Sequence, residues 1–119
     1  MDVFNQQVQD LKQVQLDELL RIGAPATYLV KVTGDSMQGA GIYDGDLLIV
    51  DREPDPKHGD VVIACINGGA MCKRLVIEDG VPSLHSENPR YQPRLLVEGD
   101  AFEVWGVVKH SIRDHVQRK

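Results

Sequence analysis

A serine at the end of a predicted strand is the first candidate for chemistry. Ser36 lies in the tetrapeptide Gly34-Asp35-Ser36-Met37, directly after a stretch rich in β-branched residues. A serine at a tight strand exit can present its hydroxyl clear of the sheet, and nearby glycines let a second backbone approach closely. If Ser36 also begins a helical turn, the N–H groups of Ser36 and Met37 point outward and can stabilise an oxyanion. The alternative is that the serine and the aspartate only cap a turn.

A lysine on a predicted apolar strand face is the second candidate. Strand alternation gives Lys73 a face shared with three apolar side chains. These neighbours are Met71, Leu75 and Ile77. Burial disfavours an ammonium ion and lowers the pKa of a lysine, and a neutral amine near a serine hydroxyl can act as its general base. The alternative is a lysine whose stem lies along the sheet edge while its ammonium reaches solvent.

The two candidates require strands to position them. Residues 26–119 consist mostly of short runs rich in Val and Ile, separated by turn-forming residues. The predicted strands cover residues 27–33, 47–51, 61–67, 71–77, 83–86, 94–97, 102–110 and 112–116. Many short strands at close spacing predict a compact, mostly β fold with mainly antiparallel strands, rather than alternating β-α units.

The beginning of the chain differs in composition from the rest. Residues 1–25 include a glutamine-rich stretch, which predicts a flexible arm, and residues 16–22 (LDELLRI) have leucines at i, i+3 and i+4, which predicts one short helix. Gly23 is placed to end this helix. So short a helix is marginal alone and needs a partner surface. We therefore divide the chain into an arm with a short helix, residues 1–25, and a domain, residues 26–119.

Composition limits the class of protein. The chain has 119 residues, of which 42% are hydrophobic and 26% charged, with a net charge of −5. This length suits one small domain. No apolar run approaches the roughly 20 residues that a membrane helix needs, and the start lacks the pattern of a secretory signal, so we expect a cytoplasmic protein without a membrane partner. The negative charge argues against non-specific binding to nucleic acid, which needs clustered positive charge.

The two cysteines flank a predicted hairpin turn, Asn67-Gly68-Gly69. A two-residue loop of Gly68 and Gly69 would place Cys65 opposite Cys72, whereas a loop of Asn67 and Gly68 would not. A reducing cytosol favours free thiols in either case.

Most other titratable residues suggest structural roles. The histidines show no paired metal-ligand spacing and the aspartates no calcium-loop spacing, so we predict neither a metal nor a cofactor. The aspartates considered as metal ligands are Asp35, Asp44, Asp46 and Asp51. Residues 44–60 hold six acids and two bases, which predicts a solvated acidic rim. His85 stays open as an alternative base for Ser36, although no carboxylate is evidently placed to orient it.

Several segments together resemble the LexA/UmuD family of self-cleaving peptidases. They are VTGDSM (residues 32–37), GIYDGDLLIVD (41–51), HGDVVIA (58–64), KRL (73–75) and FEVWGVV (102–108). The separation of 37 residues between Ser36 and Lys73 agrees with the catalytic dyad of that family. The resemblance implies a LexA/signal-peptidase-like β fold, with Ser36 as the nucleophile and Lys73 as the general base of a serine peptidase.

Within the family, the chain resembles the UmuD branch, since we expect no DNA-binding helix-turn-helix domain before residue 26. The resemblance then implies a homodimer, a RecA filament that stimulates cleavage, and a UmuC-like subunit of an error-prone translesion polymerase in the SOS response. Contact with DNA is expected only indirectly, through the polymerase.

One departure from the family pattern concerns the cleavage site. Family members cut themselves at Cys-Gly or Ala-Gly upstream of the serine, and residues 1–35 contain neither dipeptide. We therefore expect this chain to correspond to the processed, activated form, with residual activity only in trans. Two alternatives remain: the dimerisation and peptidase domain of a LexA-like or phage repressor, and a pure interaction module with a vestigial dyad.

Overall fold

The computed structural model describes Gln13 and residues 15–116. Most of the predicted flexible arm, residues 1–12 and Val14, lies outside the described residues, as do residues 117–119. The described part contains the helix α1 (Leu16–Leu20), a short 3-10 helix (Gln38–Ala40) and seven strands. The strands are β1 (Thr27–Lys31), β2 (Leu47–Asp51), β3 (Val61–Ile66), β4 (Gly69–Glu78), β5 (Val81–His85), β6 (Arg94–Leu95) and β7 (Phe102–Ile112).

The seven strands form one sheet in the order β1-β2-β7-β3-β4-β5-β6. All neighbouring strands are antiparallel, which confirms the predicted mostly β, antiparallel fold with one short helix. The prediction of a separate strand over residues 112–116 is wrong: β7 itself continues to Ile112, and residues 113–116 form no strand. The last strand is longer than predicted because β2 pairs with it as far as Ile112.

The core consists of two apolar clusters, one on each side of β3. Alternate residues of β3 contribute to them: Val62 and Ala64 belong to the first cluster, and Ile63 belongs to the second. The continuous apolar run of β3 is typical of a strand buried on both faces. The second cluster matters for the site because it also contains Met37, the residue that follows Ser36.

The turn between β3 and β4 decides the position of the cysteines. Ile66 pairs with Gly69, so Asn67 and Gly68 form the two-residue loop, with φ values of 50° and 85°. Asn-Gly favours such a turn because both positions require positive φ. Cys65 and Cys72 therefore do not face each other, and both thiols are free.

The helix α1 covers less of the sheet than the leucine stripe suggests. It ends before Arg21, which adopts a left-handed conformation with φ of 57°, two residues earlier than Gly23. Leu16 and Leu19 are each 61% exposed. That α1 requires a partner surface stays a prediction. Within residues 15–116, no helix is long and apolar enough to cross a membrane.

Candidate active site

Ser36 lies in the loop between β1 and β2, which we call the Ser36 loop (residues 32–46). Two backbone hydrogen bonds close this loop at its base. The Val32 N–H donates to the Asp46 carbonyl over 3.0 Å, and the Gly45 N–H donates to the Val32 carbonyl over 2.9 Å. The two ends of the loop are therefore adjacent, and Ser36 lies beyond the end of β1.

Two apolar side chains anchor the Ser36 loop in the core. Met37 is 3% exposed and Ile42 is 7% exposed, and both belong to the second cluster. Ser36 directly precedes this anchor and is itself half-buried. Within the described residues, no backbone carbonyl accepts a hydrogen bond from the N–H of Ser36 or of Met37.

Lys73 extends from β4 and is half-buried. Its Nζ donates a hydrogen bond of 2.9 Å to Oγ of Ser86, which follows β5. Burial lowers the pKa of the Lys73 ammonium, and the neighbouring Cys72 partly opposes this shift. At a given pH, a larger fraction of the amine is therefore neutral than in an exposed lysine.

The face of β4 that carries Lys73 is less uniformly apolar than the alternation suggests. Leu75 is buried and Met71 packs against the first cluster, but Ile77 is 36% exposed. Cys72, on the alternate face, packs against the second cluster. Apolar or thiol side chains therefore pack on both faces of β4 next to Lys73.

One cavity brings Ser36 and Lys73 together. Its volume is about 310 Å³, and both residues line it. Its walls combine β1 and the Ser36 loop with parts of β3 and β4, including Val30, Thr33, Ile63 and Met71. A cleft of this size with mixed polar and apolar walls suits a short peptide segment.

A second loop, residues 86–91, holds the residue that precedes Ser36. The Asp35 carboxylate accepts hydrogen bonds from Nη2 of Arg90, over 2.5 Å, and from the hydroxyl of Tyr91. Nδ2 of Asn88 donates to the Asp35 carbonyl over 2.9 Å. The Tyr91 hydrogen bond, followed by the charge of Arg90, lowers the pKa of Asp35, so this carboxylate stays ionised at neutral pH.

The two loops also meet at Gly39. Its N–H donates to the Glu87 carbonyl over 2.7 Å, and a Cβ built at Gly39 would lie only 2.6 Å from that carbonyl oxygen. The Glu87 carboxylate in turn binds the guanidinium of Arg74, whose Nη1 donates to the Gly59 carbonyl over 2.6 Å. The loop after β5 is therefore tied both to the Ser36 loop and to β4 beside Lys73.

Residues 86–91 were not predicted to lie at the site. Their contacts with Asp35 join residues more than 50 positions apart, and spacing along the chain gives no sign of such pairs. The local signal is the Asn88-Pro89 dipeptide, which predicts a turn but not its partner.

The other candidates are engaged elsewhere. Nε2 of His85 lies 3.0 Å from Oγ of Ser83, and His85 does not line the cavity that contains Ser36. The four aspartates bind backbone N–H groups or arginines at separate places. Within residues 15–116, no three side chains of metal-ligating type come together.

Asp46 contradicts the prediction that all of residues 44–60 form a solvated rim. It is 1% exposed and accepts hydrogen bonds from Nε and Nη2 of Arg113 over 2.9 and 3.0 Å. The Arg113 hydrogen bond lowers the pKa of Asp46. The carboxylate is buried because a guanidinium from the segment after β7 compensates its charge.

Burial raises the pKa of the Cys72 thiol to about 11. We expect iodoacetamide at neutral pH to alkylate Cys72 about 300-fold more slowly in the folded chain than in the urea-unfolded chain. A free thiol has a pKa of about 8.5, and only the thiolate reacts. Peptide mass spectrometry on timed samples measures both rates, and equal rates would contradict the burial of this thiol.

A family model described as Peptidase S24-like matches residues 3–109 of the chain. Protein MucA of Salmonella typhimurium is 40% identical over 92 residues, covering 76% of this chain and 62% of that protein. Protein ImpA of Salmonella typhimurium is 39% identical over 89 residues, covering 73% and 59%. A LexA repressor of Syntrophotalea carbinolica is 36% identical over 94 residues, covering 79% and 46%. The chain thus spans about half to three-fifths of the length of these relatives.

The family model covers most of the chain, including Ser36, Lys73 and residues 86–91. These relatives fit the resemblance of the sequence to LexA and UmuD. The chain therefore belongs to the Peptidase S24-like family, the family of the LexA/UmuD type of self-cleaving serine peptidase.

Proposed function

We propose that the chain is a serine peptidase in which Ser36 is the nucleophile and Lys73 is the general base. The observation that carries this proposal is the shared cavity, where a half-buried lysine with a lowered pKa lies with a serine at a strand exit. A serine hydroxyl is a weak nucleophile at neutral pH, and a neutral amine can accept its proton.

The reaction proceeds in two steps, formation of an acyl-serine and its hydrolysis. The Lys73 amine takes the proton of the Ser36 hydroxyl while Oγ forms a bond to the scissile carbonyl carbon, and the carbonyl oxygen becomes an oxyanion. The N–H groups of Ser36 and Met37 stabilise that charge. The C–N bond then breaks and the lysine ammonium gives its proton to the leaving amine. Water hydrolyses the acyl-serine by the same steps, again with Lys73 as base.

A fluorophosphonate probe tests this assignment without any protein substrate. Oγ of an activated serine forms a bond to phosphorus, the P–F bond breaks, and fluoride leaves as Lys73 takes the proton. We expect one probe per chain, located at Ser36 by peptide mass spectrometry. A chain that stays unlabelled at Ser36, or that is labelled equally at Ser83 and Ser111, would contradict the proposal.

We further propose that the chain acts as the processed form of a UmuD-type subunit in the cytoplasm. Residues 1–35 contain neither Cys-Gly nor Ala-Gly, so the dyad has no substrate of the family type in this segment. The proposed partners are a second copy of the chain, a UmuC-like subunit of a translesion polymerase, and a RecA filament. The exposed leucines of α1 support the homodimer, because a five-residue helix needs a partner surface.

Assembly is tested by sedimentation and co-purification. We expect a dimer at micromolar concentration and a stable complex when the chain is co-expressed with a UmuC-like subunit. The matched control is Ser36→Ala, which should bind equally well because the hydroxyl adds little to the surface. A monomer that binds no such subunit would contradict this role, whereas a dimer that binds no such subunit would favour the repressor-type dimerisation domain.

Replacing Ser86 by alanine should slow labelling of Ser36 about tenfold. The Ser86 hydroxyl accepts a hydrogen bond from Lys73 Nζ, and a hydrogen bond to a charged group contributes about 1.5–3 kcal/mol. Without it, the amine samples other positions. Ser86→Thr keeps a hydroxyl and should retain most of the rate, whereas Ser111→Ala, on the exposed end of β7, should change nothing. An unchanged rate for Ser86→Ala would show that Lys73 is held by other contacts.

A further inference from the structure

Tyr91 touches both halves of the candidate site. Its hydroxyl donates to the carboxylate of Asp35, the residue before Ser36. The centre of its ring lies 5.5 Å from Nζ of Lys73, within reach of a cation–π interaction. Tyr91 therefore contacts two elements that are far apart along the chain, the Ser36 loop and β4.

Neighbouring residues of the same loop bind Asp35 as well and so help to fix the position of Tyr91. Nη2 of Arg90 binds the other oxygen of the same Asp35 carboxylate, and Asn88 binds the Asp35 carbonyl. Tyr91 itself is 41% exposed, so its position depends on these polar contacts more than on burial. A side chain this exposed contributes modestly to folding, which makes its role at the site separable from a role in stability.

We propose that Tyr91 is a positioning residue that sets the Ser36 loop and the Lys73 side chain relative to each other. The hydroxyl fixes the strand exit that presents Ser36, and the ring fixes the direction of the lysine side chain. The inference rests on the proposed peptidase function and adds to it a residue that acts through the dyad without touching substrate.

Loss of the Tyr91 ring and loss of its hydroxyl should affect the protonation of Lys73 differently. The ring attracts the ammonium form of Lys73, so its loss should favour the neutral amine, whereas loss of the hydroxyl should leave this balance unchanged. Near Lys73, Cys72 lies on the same strand and Lys31 of β1 lines the same cavity. Across Tyr91 lies the ion pair of Asp35 with Arg90. Arg74 and Glu87 neutralise each other at the start of the 86–91 loop.

The test measures the rate of Ser36 labelling by a fluorophosphonate probe as a function of pH. Tyr91→Phe keeps the ring and should lower the maximal rate about tenfold at an unchanged pH midpoint. Tyr91→Leu should show the same loss and a midpoint shifted to lower pH. Tyr28→Phe is the matched control, since Tyr28 is 43% exposed and packs against Trp105 away from the cavity. It should behave as the unsubstituted chain.

Each outcome bears on the proposal. A Tyr91→Phe rate equal to that of the unsubstituted chain would overturn the role of the hydroxyl, and equal pH midpoints in all proteins would overturn the role of the ring. A parallel thermal melt shows whether a slower variant is still folded. If the unsubstituted chain is labelled but the Tyr91 variants match it, the inference fails and the peptidase proposal stands. If the unsubstituted chain is not labelled at Ser36, both fail.

Discussion

Lys73→Arg should leave the domain folded and lower the labelling of Ser36 by about a thousandfold at neutral pH. General-base catalysis contributes roughly 10²–10⁴ in rate, and a guanidinium stays protonated and cannot accept the serine proton. Arginine keeps the positive charge and much of the volume, so the loss would arise from the proton transfer and not from the packing of β4.

The general-base role of Lys73 also predicts how the rate of Ser36 labelling changes with pH. The neutral amine is the active form, and burial lowers the pKa of Lys73 below its usual value. In the unsubstituted chain the labelling rate should therefore rise with pH through this lowered pKa and level off above it. The matched control is Lys109→Arg, an exposed lysine on β7. An active Lys73→Arg chain with the same profile would falsify the general-base assignment and reopen the question of His85.

Ser36→Ala should abolish probe labelling and any cleavage while leaving the unfolding temperature within about 2 °C of the unsubstituted chain. The substitution removes the nucleophile, but Met37 and Ile42 still anchor the loop in the core. Circular dichroism and labelling on the same samples separate the two effects. Retained cleavage would show that another residue is the nucleophile, and loss of the fold would show that the hydroxyl is structural.

The strands were predictable because their chemistry is local. Runs such as residues 61–66 combine β-branched residues with flanking turns, so their type and approximate bounds follow from the sequence. The predicted bounds of β2 match the structure, and those of most other strands differ by a few residues at one end or the other. The Asn67-Gly68 turn was among the alternatives, and the conformational preference of asparagine and glycine decides between them.

The surroundings of the site depend on distant contacts and were not predictable in this way. The carboxylate of Asp35 accepts hydrogen bonds from Arg90 and Tyr91 because the loop that follows β5 packs against the loop that follows β1. From the sequence alone, Asp46 is expected to be one more exposed acid. In the structure it is bound by Arg113. Patterns along the chain indicate periodicity and turns, whereas these pairs form between residues that only the tertiary structure brings together.

Cleavage in trans shows directly whether Ser36 and Lys73 form an active dyad. The substrate is a full-length Peptidase S24-like relative that retains its own cleavage dipeptide but carries alanine in place of its nucleophilic serine. With an activated RecA filament present, we predict that this chain converts the relative to a shortened product cut at Cys-Gly or Ala-Gly, and that Ser36→Ala does not. No product from the intact chain, under conditions in which the unsubstituted relative cleaves itself, would contradict an active Ser36–Lys73 dyad.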